Sequence, residues 1–537
     1  MNMTDVQCGV VGSAVGDEGT FARHSAVSTG HPVATQAALE ILRDGGNAVD
    51  AAVAAAWSLS VCEPSASGLG GQTTVLMYRP GDSPRVFDGH SYAPRAVSMS
   101  TVTRAEQLTG YRACVIPSTV ATLWHVHRRY GCLPPDRVMA AAIRIAEDGY
   151  EVSPLLQRQL RYTFRILSLS AAMCGLFLPG GRVPDVGCRL RHPALAATLR
   201  RLLVAGESDF YRGALAREIV DDMARHRGLL DAEDLSALTM PVERAALVGS
   251  YHGYRVVTAP PPAGGLQLLL GLKVLEHLER DYSVVSPELW RARLAQATYL
   301  VFRERELRDR TFDELPSEIN QTLQDNWAAA MARTCGKQPP APNHTAEEPG
   351  DTTHVSVVDA AGTVVTLTQS IQSVFGAKVA NAQLGFVYNN YLKACPRTRH
   401  RRQLASGCLP RSNVAPTIVF GRGSQHDQPV LALGAAGSRR ITSALLHVIT
   451  GVLDRGLGLR DAISAPRVHA LTSGKAWIER PAATTELLAE LEGLSLRPSV
   501  KRPLDFAMGS VQAIHILRDG RIDAAADPRR DGTADGV

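Results

Sequence analysis

The sequence predicts an α/β or α+β fold, in which helices cover a layered sheet, and excludes a helical bundle or a β-sandwich. Segments with the apolar spacing of amphipathic helices recur between residues 32 and 308. Short runs rich in β-branched residues, bounded by turn signals, dominate the last third of the chain. Helices and strands that alternate in this way are typical of layered folds.

The helical segments share a 3.6-residue apolar period. The first begins with Pro32, a residue favoured in the first turn of a helix, and Gly45-Gly46 end it. The predicted helices are 32–43, 48–61, 134–149, 193–206, 211–225, 285–308 and 441–455.

The predicted strands are short and β-branched, and two of them flank the turn residues 359–362, which indicates a hairpin. They lie at 72–79, 353–358, 363–370, 416–421, 428–434 and 510–517.

Three segments fit neither pattern. Residues 335–351 are rich in Pro, Gly and acidic residues and predict an exposed loop. Residues 395–414 are basic and irregular and predict a second loop. The end of the chain, residues 526–537, is expected to fray.

Composition excludes several classes of partner. Lys and Arg total 57 and Asp and Glu total 52, so the net charge of +5 favours neither nucleic acid nor an acidic membrane surface as a partner. No apolar run approaches the roughly 18 residues of a transmembrane helix, and the first residues lack a signal-peptide pattern, so we expect a cytoplasmic protein. The nine cysteines form no C-x-x-C pair, which favours free thiols over a zinc site or a disulfide framework. No histidine motif calls for a metal, and we expect no cofactor.

Two threonines stand where the predicted 335–351 loop meets a strand. A threonine at this point is explained well enough by the preference of β-branched residues for strands. It becomes a nucleophile only beside a base, and a cut between Asp351 and Thr352 would supply one. The freed α-amine of Thr352, with a pKa of about 8, would then take the proton of its own hydroxyl. The spacing alone is compatible with both interpretations.

Segments along nearly the whole chain carry a resemblance to one family. They are 30–72, 117–124, 130–153, 251–265, 351–370, 415–419, 434–442, 465–469 and 507–514. In their number, order and spacing they resemble the γ-glutamyltransferase family of N-terminal-nucleophile hydrolases. The resemblance implies a four-layer αββα sandwich made as one precursor. It also implies self-cleavage into a large subunit, 1–351, and a small subunit, 352–537, that pack as one unit.

The resemblance assigns the catalytic residues by position. Thr352 would be the nucleophile of self-cleavage and of acyl transfer, and its freed amine the general base. Ser370 would supply the assisting hydroxyl, where most members have threonine. The backbone N–H groups of Ala436 and Gly437 would form the oxyanion hole. Alanine replaces a family glycine at 436, which is compatible with this role only if its φ is negative. Without the resemblance, a plain strand-to-helix turn is the alternative interpretation of 434–439.

The departures from the family pattern fall in the acyl pocket. His90 replaces the arginine that binds the glutamyl α-carboxylate, and a neutral imidazole cannot replace a guanidinium fork. Gln372 replaces an asparagine, and the carboxylate position for the α-ammonium is Ala394, beside Lys393. Arg411 could be a relocated anion binder. The residues that the resemblance places around the substrate are His90, Gln372, Asn390, Tyr391, Arg411, Ser412 and Asn413.

The residues for self-cleavage and acyl transfer are kept, and the acyl pocket is altered. This combination predicts a self-processing threonine hydrolase or acyltransferase that acts on a non-glutamyl small molecule. Some family relatives are β-lactam side-chain acylases, and others act in antibiotic pathways where hydrolytic C–C cleavage occurs next to a carbonyl. We therefore expect amide or C–C cleavage in secondary metabolism. The alternatives are a conventional γ-glutamyl transferase or glutathione hydrolase, and an uncleaved relative that only binds a ligand.

Overall fold

A computed structural model describes residues 20–22, 24–238, 241–279, 281–307, 321–333, 350–397 and 403–537. The strands are β1 Thr20–Ala22, β2 Ala26–Thr29, β3 Gln72–Tyr78, β4 Arg85–Asp88, β5 Tyr150–Glu151, β6 Arg189–Leu190, β7 Val242–Ala245, β8 Leu247–Tyr251, β9 Tyr254–Thr258, β10 Gly350–Val358, β11 Val364–Ser373, β12 Ala380–Asn381, β13 Phe386–Val387, β14 Thr417–Phe420, β15 Pro429–Ala436, β16 Val468–Ala470, β17 Lys475–Glu479, β18 Arg497–Lys501, β19 Ser510–Ile516, β20 Ile522–Ala526 and β21 Thr533–Gly536.

The helices are α1 Pro32–Arg43, α2 Ala48–Cys62, α3 Thr119–Tyr130, α4 Pro135–Asp148, α5 Pro154–Leu167, α6 Ala171–Phe177, α7 Pro193–Ala205, α8 Glu207–Arg212, α9 Ala214–Arg225, α10 Ala232–Ala237, α11 Gly265–Leu278, α12 Pro287–Leu307, α13 Gln321–Arg333, α14 Arg440–Leu453, α15 Leu459–Ser464 and α16 Thr485–Gly493.

Two antiparallel sheets of seven strands form the centre of the fold. The first has the order β21-β2-β10-β11-β3-β4-β7, and the second has the order β1-β20-β19-β15-β14-β9-β8. The sheets face each other through a buried apolar layer that includes Leu76, Val86, Val358, Ile418 and Ile514. Strand β10, which carries Thr352, therefore lies near the middle of the first sheet.

Helices cover the outer face of each sheet. Helix α2 packs on β10 and β11, and all fifteen of its residues are buried, which its alanine-rich sequence allows because small side chains permit close approach. Helices α11 and α14 pack on the second sheet. These are the four layers that the family resemblance implies, so the predicted αββα sandwich is confirmed.

Most predicted elements appear within two or three residues of their expected bounds. The predicted helix 211–225 is instead two helices, α8 and α9, which divide at Gly213. The Asp209 carboxylate accepts the backbone N–H of Ala214 at 2.8 Å and so begins the second helix. Among the described residues, sequence patterns also missed eight helices: α3, α5, α6, α10, α11, α13, α15 and α16.

Two of the predicted irregular segments need correction. Residues 335–349 lie outside the described residues, but Gly350 and Asp351 already belong to β10, and Asp351 is fully buried. The C-terminal tail is ordered, not frayed, since β21 pairs with β2 along the edge of the first sheet. Burial of Asp527 and Arg529 fixes the tail, because each forms a buried ion pair, with Arg467 and Glu479 respectively.

The predicted loop 395–414 has no regular helix or strand in its described part, 395–397 and 403–414. Across the described parts of the chain, no helix is both long and apolar enough to cross a membrane. None of the seven cysteines among the described residues forms a disulfide, and the Sγ atoms of Cys395 and Cys408 lie 2.8 Å apart.

Candidate active site

Thr352 lies at an irregularity in the pairing of β10 with β11. Asp351 pairs with Gln372 and Thr353 pairs with Gln369, so the register shifts by one residue at Thr352. Two residues of β11, Ser370 and Ile371, therefore stand opposite Thr352 alone, as in a β-bulge. The bulge brings the Ser370 hydroxyl to the Thr352 side chain.

The Thr352 hydroxyl is in hydrogen-bond contact with the carbonyl of the preceding residue. Thr352 Oγ1 lies 2.6 Å from the carbonyl oxygen of Asp351 and 3.1 Å from Ser370 Oγ. Ser370 Oγ also donates to the Asp351 carbonyl oxygen at 3.0 Å and accepts the Gln372 backbone N–H at 2.9 Å. Both side chains are buried, so these hydrogen bonds form away from bulk water.

A buried group of donors holds the Asp351 carboxylate. Gln159 Nε2 donates to it at 2.8 Å and Ser65 Oγ at 3.2 Å, and Arg530 Nη1 forms an ion pair with it. Arg530 Nη1 also donates to the Thr352 carbonyl oxygen at 3.1 Å. Sequence reasoning missed these partners, because they come from α5, the segment after α2 and the C-terminal tail.

Glu63, at the C-terminal end of α2, is an acidic residue near Asp351 and Thr353 that sequence reasoning also missed. Burial raises the pKa of its carboxyl group to about 8, and the nearby Asp351 carboxylate acts in the same direction. Thr353 and Arg530 oppose this shift. A Cβ on Gly30 would lie 2.6 Å from Thr353 Oγ1 and 2.8 Å from Glu63 Oε2, so both groups converge on this glycine.

His354, two residues after Thr352, has a structural role. Burial lowers the pKa of its imidazole to about 3, so the ring is neutral at physiological pH. Its Nδ1 lies 2.8 Å from Thr368 Oγ1, and its Nε2 lies 3.2 Å from Ser356 Oγ. A Cβ on Gly434 would be 2.1 Å from His354 Cε1, so the ring packs directly on the backbone of the second sheet.

The turn that carries Ala436 and Gly437 joins β15 to α14. Ala436 has no positive φ, so the glycine-to-alanine change is sterically acceptable there. Gly437 has a φ of 128°, and a Cβ on it would lie 2.9 Å from Gly509 Cα, so glycine is required. A Cβ on Gly350 would lie 2.7 Å from Ser438 Cβ, which places the turn against the start of β10.

Tyr391 joins Ser370 to the segment before β14. It is buried in the 3₁₀ turn Tyr391–Ala394, and its phenol hydrogen-bonds with Ser370 and Ser412. Burial raises the pKa of the phenol to about 12, so the group stays protonated. Tyr391 therefore lies beside Ser370, the candidate assisting hydroxyl, and links it to Ser412.

Other predicted pocket residues are engaged in supporting contacts. The Asn390 side chain accepts Ser373 N–H at 3.1 Å and donates to Leu108 O at 2.8 Å. Asn413 Oδ1 accepts Arg305 Nη1 at 2.7 Å. The Asn390 amide therefore supports the local backbone, whereas the Asn413 amide binds the Arg305 side chain.

Gln372 and Arg411 are two further predicted pocket residues. Gln372 has a φ of 83° and contacts the site through its backbone N–H. Arg411 is half-buried in the irregular segment before Ser412.

His90 lies at the same end of the first sheet as Thr352, three strands away, just beyond β4. Its Nδ1 is 2.5 Å from Asp88 Oδ1, and the other oxygen of Asp88 accepts Arg244 Nη1 at 3.0 Å. At about 4.8 Å per strand, the backbones of His90 and Thr352 are roughly 14 Å apart. The position that the family resemblance assigns to a carboxylate clamp thus carries an imidazole already bound to a carboxylate.

Comparisons with known proteins agree over nearly the whole chain. The family model described as gamma-glutamyltranspeptidase matches residues 34–537. The Acylase ACY 1 proenzyme of Pseudomonas sp. strain V22 is 31% identical over 94% of this chain and 92% of its own length. The glutathione hydrolase proenzyme of Escherichia coli K12 is 29% identical over 95% of this chain and 91% of its own length. The crystal structure of cephalosporin acylase from Bacillus halodurans superposes with a TM-score of 0.87 at 26% identity, covering 100% of this chain and 99% of the other.

Proposed function

Because the chain belongs to the gamma-glutamyltranspeptidase family and is therefore an enzyme of the N-terminal-nucleophile hydrolase class, we propose that it cuts itself before Thr352 and then acts on a non-glutamyl acyl group. The observation that carries the proposal is the 2.6 Å contact between Thr352 Oγ1 and the Asp351 carbonyl oxygen. This contact keeps the hydroxyl beside the carbonyl group whose carbon it would attack.

Self-cleavage begins when Thr352 Oγ1 attacks the Asp351 carbonyl carbon. The C–N bond then breaks, the hydroxyl proton passes to the leaving nitrogen, and Asp351 becomes an ester of Thr352. Water hydrolyses the ester, which gives a 1–351 subunit with a new carboxylate and a 352–537 subunit with a free amine. Ser370, which donates to the Asp351 carbonyl oxygen at 3.0 Å, stabilises the negative charge that develops there.

Acyl transfer uses the same hydroxyl with a different base. The freed Thr352 amine, with a pKa of about 8, accepts the hydroxyl proton as Oγ1 attacks the substrate carbonyl. The Ala436 and Gly437 N–H groups stabilise the oxyanion, and water or an amine releases the acyl group. Relatives named acylases support an amide substrate, and we place the reaction in secondary metabolism, with C–C cleavage next to a carbonyl as the related possibility.

The pocket chemistry supports a non-glutamyl acyl group. The imidazole of His90 contacts Asp88, and the carboxylate position for an α-ammonium is Ala394. Lys393 Nζ, next to it, donates to Ser373 Oγ at 3.3 Å and adds a positive charge. An ammonium group placed here would face a cation and find no carboxylate at position 394, so a glutamyl head group should bind poorly.

Glutathione hydrolysis is the second candidate, favoured by the Escherichia coli relative. The experiment that separates the two compares kcat/KM for γ-glutamyl-p-nitroanilide with that for p-nitroanilides of acyl groups without the α-amino acid head. We expect the γ-glutamyl value on fully processed protein to fall far below about 10⁴ M⁻¹s⁻¹. A γ-glutamyl value at or above this level would establish the second candidate instead.

A further inference from the structure

Gln72, the first residue of β3, stands in one row with Ser370 and His90. Gln72 pairs directly with Ser370 of β11. On the other side of β3 lies β4, where Asp88 pairs with Thr74 and Gly89 N donates to Thr73 O at 3.1 Å. Continuing this antiparallel register by one residue places His90 opposite Gln72.

Residues that pair across antiparallel strands share one face of a sheet. Leu76, four residues after Gln72 and so on the same face, belongs to the apolar layer between the two sheets. The row of Ser370, Gln72 and His90 therefore faces the space between the sheets, on the same side as the candidate assisting hydroxyl.

The Gln72 amide has no hydrogen-bond partner among the described residues. The residue is 4% exposed, and both Oε1 and Nε2 are buried and unpaired. Buried polar groups in folded proteins are nearly always paired, because losing water without gaining a partner is unfavourable. The neighbours do not pair with it, since Ser370 Oγ contacts Thr352 and Asp351, and His90 Nδ1 contacts Asp88. An unpaired amide beside the assisting hydroxyl indicates a place for a ligand group.

We propose that Gln72 is a specificity-determining residue that binds a neutral carboxamide-type group on the acyl part of the substrate. A glutamine amide offers donors at Nε2 and an acceptor at Oε1, and only a ligand group that also carries both kinds of atom satisfies the two. A carboxylate would leave Oε1 without a donor. Because directly paired residues have Cβ atoms about 5 Å apart, the carboxamide lies two to four bonds from the scissile carbonyl.

This inference rests on the proposed function and deepens it. The test uses the processed protein and three carboxylic acids that mimic the released acyl group: glutaramate, glutarate and 5-methylhexanoate. They differ at the far end, which is a carboxamide, a carboxylate or an apolar group of similar shape. Isothermal titration calorimetry should give glutaramate a Kd at least about tenfold lower than that of either other acid, and Gln72→Met should abolish this preference.

The matched control is Gln369→Leu, which removes a buried amide from the opposite face of the same sheet, where Gln369 Nε2 donates to Ser60 Oγ at 2.7 Å. It should keep the preference for glutaramate. If Gln72→Met does not fold, Gln72→Glu provides the second variant, and it should also lose the preference, because a carboxylate has no N–H donor.

The outcomes distinguish a failure of the Gln72 proposal from a failure of the proposed function. Equal affinities for the three acids in the processed parent, or an unchanged preference in a folded Gln72 variant, would overturn the role of Gln72 in binding the acyl group. A chain that never cuts itself, as judged by its mass, would remove the proposed function and this inference together.

Discussion

The hydroxyl of Thr352 and the carbonyl of Asp351 form the central contact of the site: Thr352 Oγ1 lies 2.6 Å from the Asp351 carbonyl oxygen, and Ser370 Oγ donates to the same oxygen at 3.0 Å. The peptide bond between these residues is buried inside β10, so an external protease cannot reach it. An intramolecular attack needs no such access. The burial of this bond therefore favours self-cleavage over processing by another enzyme.

Ser370→Ala should slow self-cleavage by about 10- to 1,000-fold. The substitution removes the hydrogen bond to the Asp351 carbonyl oxygen, and donors that stabilise a developing oxyanion contribute factors of this size. The measurement is the time course of the two fragments by mass spectrometry. Ser373→Ala, on the same strand, is the matched control and should cut at the parental rate. Equal rates in the two variants would contradict the assignment of Ser370.

Arg530→Met should destabilise the uncut chain, because it leaves the Asp351 carboxylate buried without its cation. Both side chains of this pair are at most 2% exposed, and breaking such a buried pair costs about 3–5 kcal/mol. The free energy of unfolding in urea should be measured in a Thr352→Ala background, which keeps the chain whole.

Adding Asp351→Asn to Arg530→Met should restore part of the lost stability, since the uncompensated charge is then removed. A double variant less stable than Arg530→Met alone would show that the arginine acts through other contacts.

Glu63 should make stability fall as pH rises. Its folded pKa of about 8 lies above the ordinary value of 4.5, so the folded chain retains a proton that the unfolded chain releases between these two pH values. The free energy of unfolding should therefore decrease through this window and then level off.

Glu63→Gln should remove this component of the pH dependence, as measured by urea unfolding at several pH values within the window. Glu40→Gln, at a side chain that is 42% exposed, is the control and should leave the slope unchanged. A parental slope in Glu63→Gln would mean that Glu63 is ionised in the folded chain.

Much of the fold follows from local patterns, because the helices and strands concerned have regular apolar periods. The hairpin of β10 and β11 could be predicted from its β-branched runs and the turn at 359–362. The tail could not, because 526–537 is polar, and its order depends on the ion pairs of Asp527 and Arg529 with the distant residues Arg467 and Glu479.

The residues of the candidate site also form two groups, those that motifs locate and those that only the folded structure brings to the site. Thr352, Ser370 and Tyr391 could be located from motifs, and the structure brings these three together. Gln159 and Arg530 could not, because each is an ordinary polar residue in its own segment and meets Asp351 only when three parts of the chain fold together. Pairing between strands, not any motif, aligns Gln72 with Ser370 and His90.

The mass of the purified protein tests the role of Thr352 most directly. The parent should give two fragments, 1–351 and 352–537, while Thr352→Ala should give one chain of 57.6 kDa and Thr352→Ser should cut slowly. The alanine variant has no hydroxyl to attack the Asp351 carbonyl, and the serine variant retains one. A folded parent that stays intact at 57.6 kDa, or a Thr352→Ala variant cut at the same bond, would contradict the account.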